Sequence, residues 1–371
     1  MKLLFVALTK HQYRYFKRLQ KELFVDAKVL FLPTWKLSLT GFLKSFTLDT
    51  QTIEMFKYKE VDAKYHNPLK KILYKTFLKL QIPFVYSALY HAIKHYDPDF
   101  VVFWNGKKFH QAIGVKVAER MDKKKIFFEN GFLPHTTQMD FQGVNASNTV
   151  PRDLSFYQSL TFDADCSLPE VLQQRASYKK REDFTKPLPQ HYIFVPFQVA
   201  YDTQIIQHSG WVNDMHALFD LVVQMAEVTG LCFVIKEHPS DRVSNYEDLH
   251  KRVSEKIIFS HQNTQTLIEN ADAILTVNSS VGIEGLLFAK RVIVLGEAFF
   301  SIEGIVKRAE DKARLLEILT DIQHWQVDTE TIEKFLKYLQ CSYLIPNTWK
   351  EPKKEHFEAI QKRLRKELDH V

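Results

Sequence analysis

The chain has 371 residues, enough for two domains with full hydrophobic cores, and its hydrophobic content of 45% is ordinary for a soluble globular protein. Its three cysteines show no paired spacing, which argues against a disulfide framework and a zinc site and predicts a reducing compartment. No apolar run approaches the ~20 residues of a membrane-spanning helix, and the short apolar run at the amino terminus predicts a strand rather than a signal peptide.

Positive charge is concentrated at the front of the chain. Residues 1 to 130 contain 24 Lys and Arg against 11 Asp and Glu, a net of +13, and the remainder carries a net of −7. A basic surface interleaved with aromatic residues suits nucleic acid, an anionic membrane or a polyanionic acceptor. We expect peripheral association with an anionic membrane and no nucleic acid, although charge alone is explained as well by a lysine-rich soluble face.

The apolar pattern predicts an alternation of strands and helices in both halves of the chain. Predicted strands cover 2–8, 27–32, 99–104, 125–128, 191–197, the start of 231–239, 256–260, 273–277 and 291–295. Predicted helices cover 11–23, 69–96, 109–121, 213–228, 264–270, a segment from 281 onward, 311–319, 329–339 and 353–368. Residues 42 to 64 show no clear period and are left unassigned.

This alternation predicts an α/β protein with two doubly wound, Rossmann-like domains that face each other across a cleft. The charged, proline-rich stretch 179–189 is typical of a domain boundary. We therefore expect an N-terminal domain over 1–180, a C-terminal domain over 181–345, and a C-terminal basic helix over 346–371.

The predicted helix 69–96 carries apolar residues at helical spacing with lysines between them, and Pro83 is expected to break or kink it. One interpretation is a helix that lies on a membrane surface. The alternative, a core-facing helix with a solvated lysine face, is the more usual one.

Two stretches in the second half place polar groups at the carboxyl ends of predicted parallel strands, where open α/β sheets bind ligands. The buried strand that begins at Leu231 ends in Lys236, Glu237, His238 and Pro239. The strand 273–277 runs through Asn278, Ser279 and Ser280 into a helix whose first turn offers free backbone N–H groups and two hydroxyls. Together these features suit the phosphate of an activated donor.

Further strand ends supply carboxylates. Glu129 is predicted at the edge of the first sheet beside Asn130 and the Gly131 loop, which would allow a ligand to approach closely. Gln198 and Asp202 follow the strand 191–197. The polar segment 140–153, with Asn145 and Arg152, is interpreted as a long active-site loop.

Two carboxylates and an imidazole beside a phosphate site suit glycosyl transfer from a nucleotide sugar. Each residue also has a structural explanation. Asp202 could cap the next segment, Glu129 could pair with a lysine, His238 could be a satisfied histidine at a strand end, and Glu284 could support its own helix.

At these residues the sequence resembles the bacterial capsule polysaccharide synthesis β-Kdo transferases, where Kdo is 3-deoxy-D-manno-oct-2-ulosonic acid. The resemblance rests on the Gln198-x-x-x-Asp202 pattern, on His238-Pro239, and on the segments at 127–132, 143–153, 195–209 and 278–288. Within the family, the chain is most similar to single-module members that start the poly-Kdo linker on lysophosphatidylglycerol. The first 120 residues carry no matching motif.

The resemblance implies a GT-B glycosyltransferase that uses CMP-Kdo, retains configuration and needs no metal or other cofactor. It implies Asp202 as nucleophile, Glu129 as acid/base, and His238 and Pro239 as contacts to the donor phosphate and carboxylate. The start of the helix at Asn278, Ser279 and Ser280 would hold the cytidylate, and Glu284 its ribose.

The resemblance also implies a (lyso)phosphatidylglycerol or glycan acceptor, other capsule biosynthesis proteins as partners, and a place at the cytoplasmic face of the inner membrane. The alternatives are a transferase for another nucleotide sugar, a non-catalytic capsule-assembly protein with the same fold, and a nucleotide-sugar epimerase.

Overall fold

The computed structural model describes residues 1–32, 34, 36–173 and 187–369. The chain forms two compact units. Unit 1 comprises Met1–Thr149 and Tyr343–Val371, and unit 2 comprises Val150–Ser342. The predicted boundary between residues 180 and 181 lies outside the described residues, and the observed units divide about thirty residues earlier than the predicted domains.

Twelve strands and fourteen α-helices make up the described chain. The strands are β1 (Lys2–Ala7), β2 (Asp26–Phe31), β3 (Phe100–Trp104), β4 (Lys124–Asn130), β5 (Thr136–Asp140), β6 (Ile193–Pro196), β7 (Phe233–Lys236), β8 (Ile257–Phe259), β9 (Ala273–Thr276), β10 (Arg291–Val294), β11 (Lys307–Arg308) and β12 (Ile345–Pro346). The helices are α1 (Lys10–Glu22), α2 (Leu39–Ser45), α3 (Gln51–Lys64), α4 (Pro68–Tyr96), α5 (Phe109–Arg120), α6 (Leu154–Gln158), α7 (Thr203–His208), α8 (Met215–Thr229), α9 (Glu247–His250), α10 (Thr264–Glu269), α11 (Val281–Leu287), α12 (Lys312–Thr320), α13 (Thr329–Lys337) and α14 (Lys354–Asp369).

The sheet of unit 1 has the order β12-β5-β4-β3-β1-β2. β2, β1, β3 and β4 are parallel neighbours, whereas β5 and β12 add an antiparallel edge. Alternate strand residues pack on opposite faces, so Leu4 and Val6 join α4 and α5 while Leu3 and Phe5 join α1 and α14. Unit 1 is therefore doubly wound.

The sheet of unit 2 is parallel throughout, with the order β11-β10-β9-β6-β7-β8. Counted from β6, the order reads 3-2-1-4-5-6, that of a dinucleotide-binding Rossmann fold. One face packs against α8 and α12. On the other face, Gly285 of α11 lies so close to β9 that an added Cβ would meet the Ile274 side chain at 2.1 Å. The prediction of an α/β protein with two doubly wound, Rossmann-like domains is confirmed.

The unassigned stretch 42–64 contains most of α2 and the whole of α3, joined by a short turn. Of the predicted break or kink at Pro83, the break does not occur, because α4 runs without interruption from Pro68 to Tyr96. Tertiary packing compensates for the hydrogen bond that Pro83 cannot donate, since Leu78 and Ile82 are buried just before it and Tyr86 just after it.

The C-terminal helix is part of unit 1 rather than a separate segment. Phe357, Ile360 and Leu364 of α14 lie in the same core as β1 and β3. Nε2 of His356, which is fully buried, lies 2.8 Å from the Tyr15 hydroxyl, and Nδ1 lies 2.7 Å from the Pro346 carbonyl oxygen. The sequence shows a basic, amphipathic helix but not which sheet buries its apolar side.

The expectation that no cysteines pair is wrong. Cys166 and Cys341 form a disulfide within unit 2 although they are 175 residues apart in sequence, and Cys232 is a free thiol. Spacing could not reveal the pair, because one cysteine lies in an irregular segment and the other in the helical turn that follows α13.

Candidate functional site

The candidate site of unit 2 lies at the switch point of its sheet, between the carboxyl ends of β6 and β9. The Gln198 amide nitrogen donates to the Asn278 side-chain oxygen at 2.8 Å, and the Asn278 backbone N–H donates to the Gln198 side-chain oxygen at 3.2 Å. Both residues are buried. This pair of hydrogen bonds joins the two strand ends that carry the sequence motifs.

Asn278 also holds the short helix α7. Its side-chain nitrogen donates to the carbonyl oxygens of Gln204 at 3.0 Å and His208 at 2.9 Å. The end of α7 can lie this close to the loop after β10 because that loop has a glycine, Gly296. A Cβ at this position would lie 2.6 Å from the His208 carbonyl oxygen. The position of α7 is thus set by the loops after β9 and β10.

Asp202 is the N-cap of α7, and its carboxylate accepts the Gln204 backbone N–H at 2.9 Å. The capping explanation offered by the sequence is therefore correct. The side chain is nevertheless exposed, so capping and a chemical role are compatible. An exposed carboxylate on a helix that Asn278 fixes is a suitable position for a nucleophile.

Lys236 is the last residue of β7, and the loop after this strand carries His238 and Pro239. The Lys236 ammonium donates to the Gln262 carbonyl oxygen at 2.5 Å, and the Ser240 backbone N–H donates to Nδ1 of the half-buried His238 at 3.1 Å. Nδ1 is therefore the unprotonated ring nitrogen, and Nε2 is left to carry a proton. His238 therefore stabilises its own loop through Nδ1 and can donate a hydrogen bond to a ligand through Nε2.

Sequence analysis missed Asp241, which anchors this loop. It is fully buried, and its carboxylate accepts the backbone N–H groups of Val243 at 3.1 Å and Ser244 at 3.0 Å. Its other carboxylate oxygen is buried without a hydrogen-bond partner among the described residues. An Asp two residues after a His-Pro pair is a turn signal that could have indicated it.

Tyr201 relates the Gln198-x-x-x-Asp202 motif to the loop after β7. Burial raises the pKa of its phenol, and the nearby Asp241 carboxylate raises this pKa further. The backbone of Arg242 forms a hydrogen bond that acts in the opposite direction. The phenol therefore stays neutral at physiological pH, and the loops after β6, β7 and β9 form one polar cluster.

The predicted anion cradle at α11 is less open than expected. The Val281 N–H donates to the Ser279 hydroxyl at 3.2 Å, and the Gly282 N–H donates to the Ser279 carbonyl oxygen at 3.0 Å. Ser280 is the N-cap but makes no side-chain capping bond, and the half-buried Glu284 lies in the first turn. Internal bonds thus use two of the N–H groups that the sequence suggested were free.

Glu129 of unit 1 lies within β4 rather than beyond its end. Its carboxylate accepts the Asn105 amide at 2.8 Å and the backbone and side-chain N–H groups of Asn130, both at 2.9 Å. Asn105 follows β3 and is buried, so it orients the carboxylate from the neighbouring strand.

The expectation that Gly131 leaves room for a ligand is wrong. An added Cβ at Gly131 would lie 1.8 Å from the Thr136 hydroxyl, and the Gly131 N–H donates to the Thr136 carbonyl oxygen at 3.0 Å. The glycine is required because β4 turns back into the antiparallel strand β5, a hairpin that the sequence analysis did not predict.

The polar segment 140–153 is a well-bonded loop, divided between the two units. The buried Asp140 carboxylate accepts the N–H groups of Gln142, Gly143 and Thr149, and also the Tyr343 hydroxyl at 2.9 Å. Asn145, in unit 1, bonds the Gln138 side chain at 3.1 Å and 3.2 Å.

Arg152, by contrast, belongs to unit 2. Its guanidinium lies 5.7 Å from the Phe299 ring centroid and donates to the Val150 carbonyl oxygen. The predicted grouping of Asn145 and Arg152 in one loop therefore combines residues of two units.

Among residues 1–32, 34, 36–173 and 187–369, no group of three or more His, Cys, Asp or Glu is arranged to hold a metal ion. In the same part of the chain, no helix is long and apolar enough to cross a membrane.

Comparison with known proteins gives a consistent family. The model of the capsule polysaccharide biosynthesis protein family matches residues 169–317. Protein FixF of Sinorhizobium fredii is 36% identical over 294 residues, covering 78% of this chain and 71% of FixF. The capsule polysaccharide export protein KpsS of Escherichia coli is 26% identical, covering 69% of this chain and 79% of KpsS.

Among solved structures, the β-Kdo 2,7 transferase of Thermosulfurimonas dismutans KpsC is similar with a TM-score of 0.47 and 14% identity, covering 90% of this chain and 89% of that one.

Proposed function

The chain belongs to the capsule polysaccharide biosynthesis protein family, and from that membership we propose that it is a glycosyltransferase that moves Kdo from CMP-Kdo to an acceptor. The acceptor class is a (lyso)phosphatidylglycerol or a glycan. The choice of Kdo and cytidylate comes from the resemblance of the Gln198-x-x-x-Asp202, His238-Pro239 and 278–288 motifs to β-Kdo transferases.

One observation carries the proposal. Gln198 and Asn278 are hydrogen-bonded to each other at the switch point of a Rossmann sheet, and Asn278 holds the helix that Asp202 caps. Switch points of open α/β sheets are where nucleotides bind. These contacts, between motifs that lie 80 residues apart, support a nucleotide site near the exposed Asp202 carboxylate.

The proposed reaction is a double displacement that retains configuration. The Asp202 carboxylate attacks the anomeric carbon of Kdo, and the bond to the CMP phosphate oxygen breaks with its electron pair leaving on CMP. An acceptor hydroxyl then displaces Asp202, and Glu129 takes up the proton of that hydroxyl. The amide bonds from Asn105 and Asn130 orient the Glu129 carboxylate.

The donor phosphate would be held by Lys236, by Nε2 of His238 and by Ser279 and Ser280. Cationic and N–H donors stabilise the charge that develops on the departing phosphate, so the proposed reaction uses no metal ion. Pro239 fixes the loop backbone, and Glu284 is assigned to the ribose hydroxyls.

The proposal also includes the setting of the reaction. The acceptor's lipid end would lie in the anionic inner membrane, the protein would work at its cytoplasmic face, and other capsule biosynthesis proteins would supply or receive the glycan. The family membership supports the capsule context.

The test is product analysis with CMP-Kdo, CMP-sialic acid and UDP-sugars in parallel, with lysophosphatidylglycerol and glycan acceptors and with EDTA present. We expect transfer from CMP-Kdo alone, undiminished by EDTA. Transfer from a UDP-sugar would indicate another transferase, and isomerisation of a donor without transfer would indicate an epimerase. Binding of CMP without any turnover would indicate a non-catalytic assembly protein.

A further inference from the structure

The front of helix α4 is apolar on two opposite sides. Leu78 and Ile82 are buried, with 1% and 6% of their surface exposed, and pack into the core of unit 1. The opposite side of the same helix carries six large apolar side chains that are each more than half exposed: Leu69, Ile72, Leu73, Phe77, Leu80 and Phe84. A helix whose core-facing side is already satisfied does not need this second apolar side for folding.

The sequence left open a helix on a membrane surface and a core-facing helix with a solvated lysine face, and α4 does pack on the core of unit 1. The apolar residues at helical spacing in its first half nevertheless lie on the exposed side: Leu69, Ile72, Leu73, Phe77 and Leu80. The core-facing surface is formed by other residues.

Helix α2 extends the exposed apolar surface. Leu39, Leu43 and Phe46 are 60–77% exposed, and the Phe42 ring lies 5.6 Å from the Phe84 ring and 5.4 Å from the Phe46 ring. The two helices are held together because Ser38 and Ser87 exchange hydrogen bonds of 2.7 Å and 2.8 Å. We call the exposed apolar side chains of α2 and α4 together the α2–α4 face. Along α4 it extends for about 22 Å at ~1.5 Å per residue.

The acidic and basic side chains carried by α2 and α4 themselves are all basic. Neither α2 nor α4 contains Asp or Glu, whereas together they contain six lysines. Lys71 and Lys75 are paired with Asp62 of α3, so part of their charge is compensated. Lys44 and Lys70 are exposed, and Lys79 is 69% exposed with Glu54 4.0 Å away.

We propose that the α2–α4 face docks on an anionic lipid bilayer, with its Leu, Ile and Phe side chains in the acyl boundary and its lysines at the headgroups. An exposed apolar patch of this size marks an interaction site, and a cationic rim is complementary to anionic lipid. A second copy of this chain fits poorly, because a twofold interface would place one lysine-bearing, acid-free face against another.

Docking of the α2–α4 face would give the proposed transferase access to a lipid-linked acceptor. Only this purpose rests on the proposed function. Flotation with vesicles needs no turnover. A protein that floats but transfers no sugar would contradict the proposed transferase and support membrane docking. A protein that transfers sugar but does not float would support the transferase and contradict membrane docking.

The experiment is flotation of the full chain with vesicles of phosphatidylcholine alone and of phosphatidylcholine with phosphatidylglycerol, at low and high salt. We expect flotation with the anionic vesicles that weakens as salt rises, because the lysine contribution is screened. Failure to float with anionic vesicles at low salt, or equal flotation with neutral ones, would overturn the proposal.

Variants locate the contact. Leu73→Ser combined with Phe77→Ser should lower the partition coefficient roughly tenfold or more, since both side chains would leave the acyl boundary. Lys70→Glu combined with Lys79→Glu should remove the preference for anionic lipid. Phe24→Ser is the matched control, because Phe24 is 87% exposed in the same unit but outside the α2–α4 face.

Melting temperatures confirm that each variant is folded, and sedimentation tests the competing partner. Unchanged flotation of the Leu73→Ser/Phe77→Ser variant would overturn the proposal. So would a concentration-dependent dimer of the parent protein that this variant abolishes.

Discussion

At the scale of single residues, the motif positions of unit 2 have structural duties as well as proposed chemical ones. Asp202 caps α7, Gln198 and Asn278 tie two strands together, and Nδ1 of His238 accepts a backbone N–H. Substitution by alanine would remove both the structural hydrogen bond and the proposed chemical role of such a residue. An informative variant therefore keeps the hydrogen bond and removes only the chemical role.

Asp202→Asn separates the capping of α7 from the proposed role of Asp202 as nucleophile. Asn is as good an N-cap as Asp, so α7 should stay folded, but an amide is not a nucleophile. We expect transfer to fall by several orders of magnitude with CMP binding nearly unchanged, measured by product formation and calorimetry. Asp202→Ala should abolish transfer as well.

The matched control is Asp214→Asn, because Asp214 caps α8 by accepting the Ala217 N–H at 2.8 Å. That variant should keep full activity. Near-normal turnover of folded Asp202→Asn would remove Asp202 from the mechanism.

Lys236→Ala and His238→Ala should each weaken CMP binding, because both remove donors from the proposed phosphate site. The expected loss is about 1–3 kcal/mol, or roughly five- to 150-fold in Kd, measured by calorimetry. His238→Gln should recover part of the affinity, since an amide can still donate. Unchanged affinity in both alanine variants would place the nucleotide elsewhere.

At the scale of helices and strands, nine strands and most helices follow from sequence because buried runs and helical spacing depend on local pattern. The strands missed are β5, β11 and β12, which lie in polar or very short segments and form through pairing with distant neighbours. The role of Gly131 was misjudged for the same reason, because it depends on a hairpin that the polar sequence 136–140 does not reveal. The sequence places Gln198 and Asn278 at the carboxyl ends of two strands, which is why their proximity could be expected. It does not reveal the hydrogen bonds at Ser279 that close the turn before α11.

Helix α14 should make the stability of unit 1 depend on pH through His356. Burial lowers the pKa of this imidazole below its usual value of about 6.5. The unfolded chain then binds more protons than the folded one between that value and the lower folded pKa, so stability decreases as pH falls through this window. His356→Gln should flatten the pH dependence of the melting temperature below about pH 6.5, whereas the exposed His11→Gln should not. Equal slopes for His356→Gln and the parent protein would contradict the assignment.

At the scale of the whole molecule, unit 2 is stabilised by a disulfide bond as well as by its hydrophobic core. The Cys166–Cys341 disulfide joins residues 175 apart, and a closure of that length constrains the unfolded chain strongly. Reduction should destabilise unit 2 by about 2–4 kcal/mol, seen as a lower melting temperature. Peptide mapping without reductant should recover the 166–341 cross-link and an alkylated Cys232, and alkylation of all three cysteines in the unreduced protein would contradict this prediction.

The central claim is that the motifs at the switch point of unit 2 form a catalytic site in which Asp202 takes up the sugar. The most direct measurement is the intact mass of the protein mixed rapidly with CMP-Kdo in the absence of acceptor, followed by peptide mapping. We expect release of CMP and one Kdo residue attached at Asp202, an adduct that acceptor removes and that Asp202→Asn never forms. Steady transfer of Kdo with no adduct at any time, and undiminished transfer by Asp202→Asn, would contradict it.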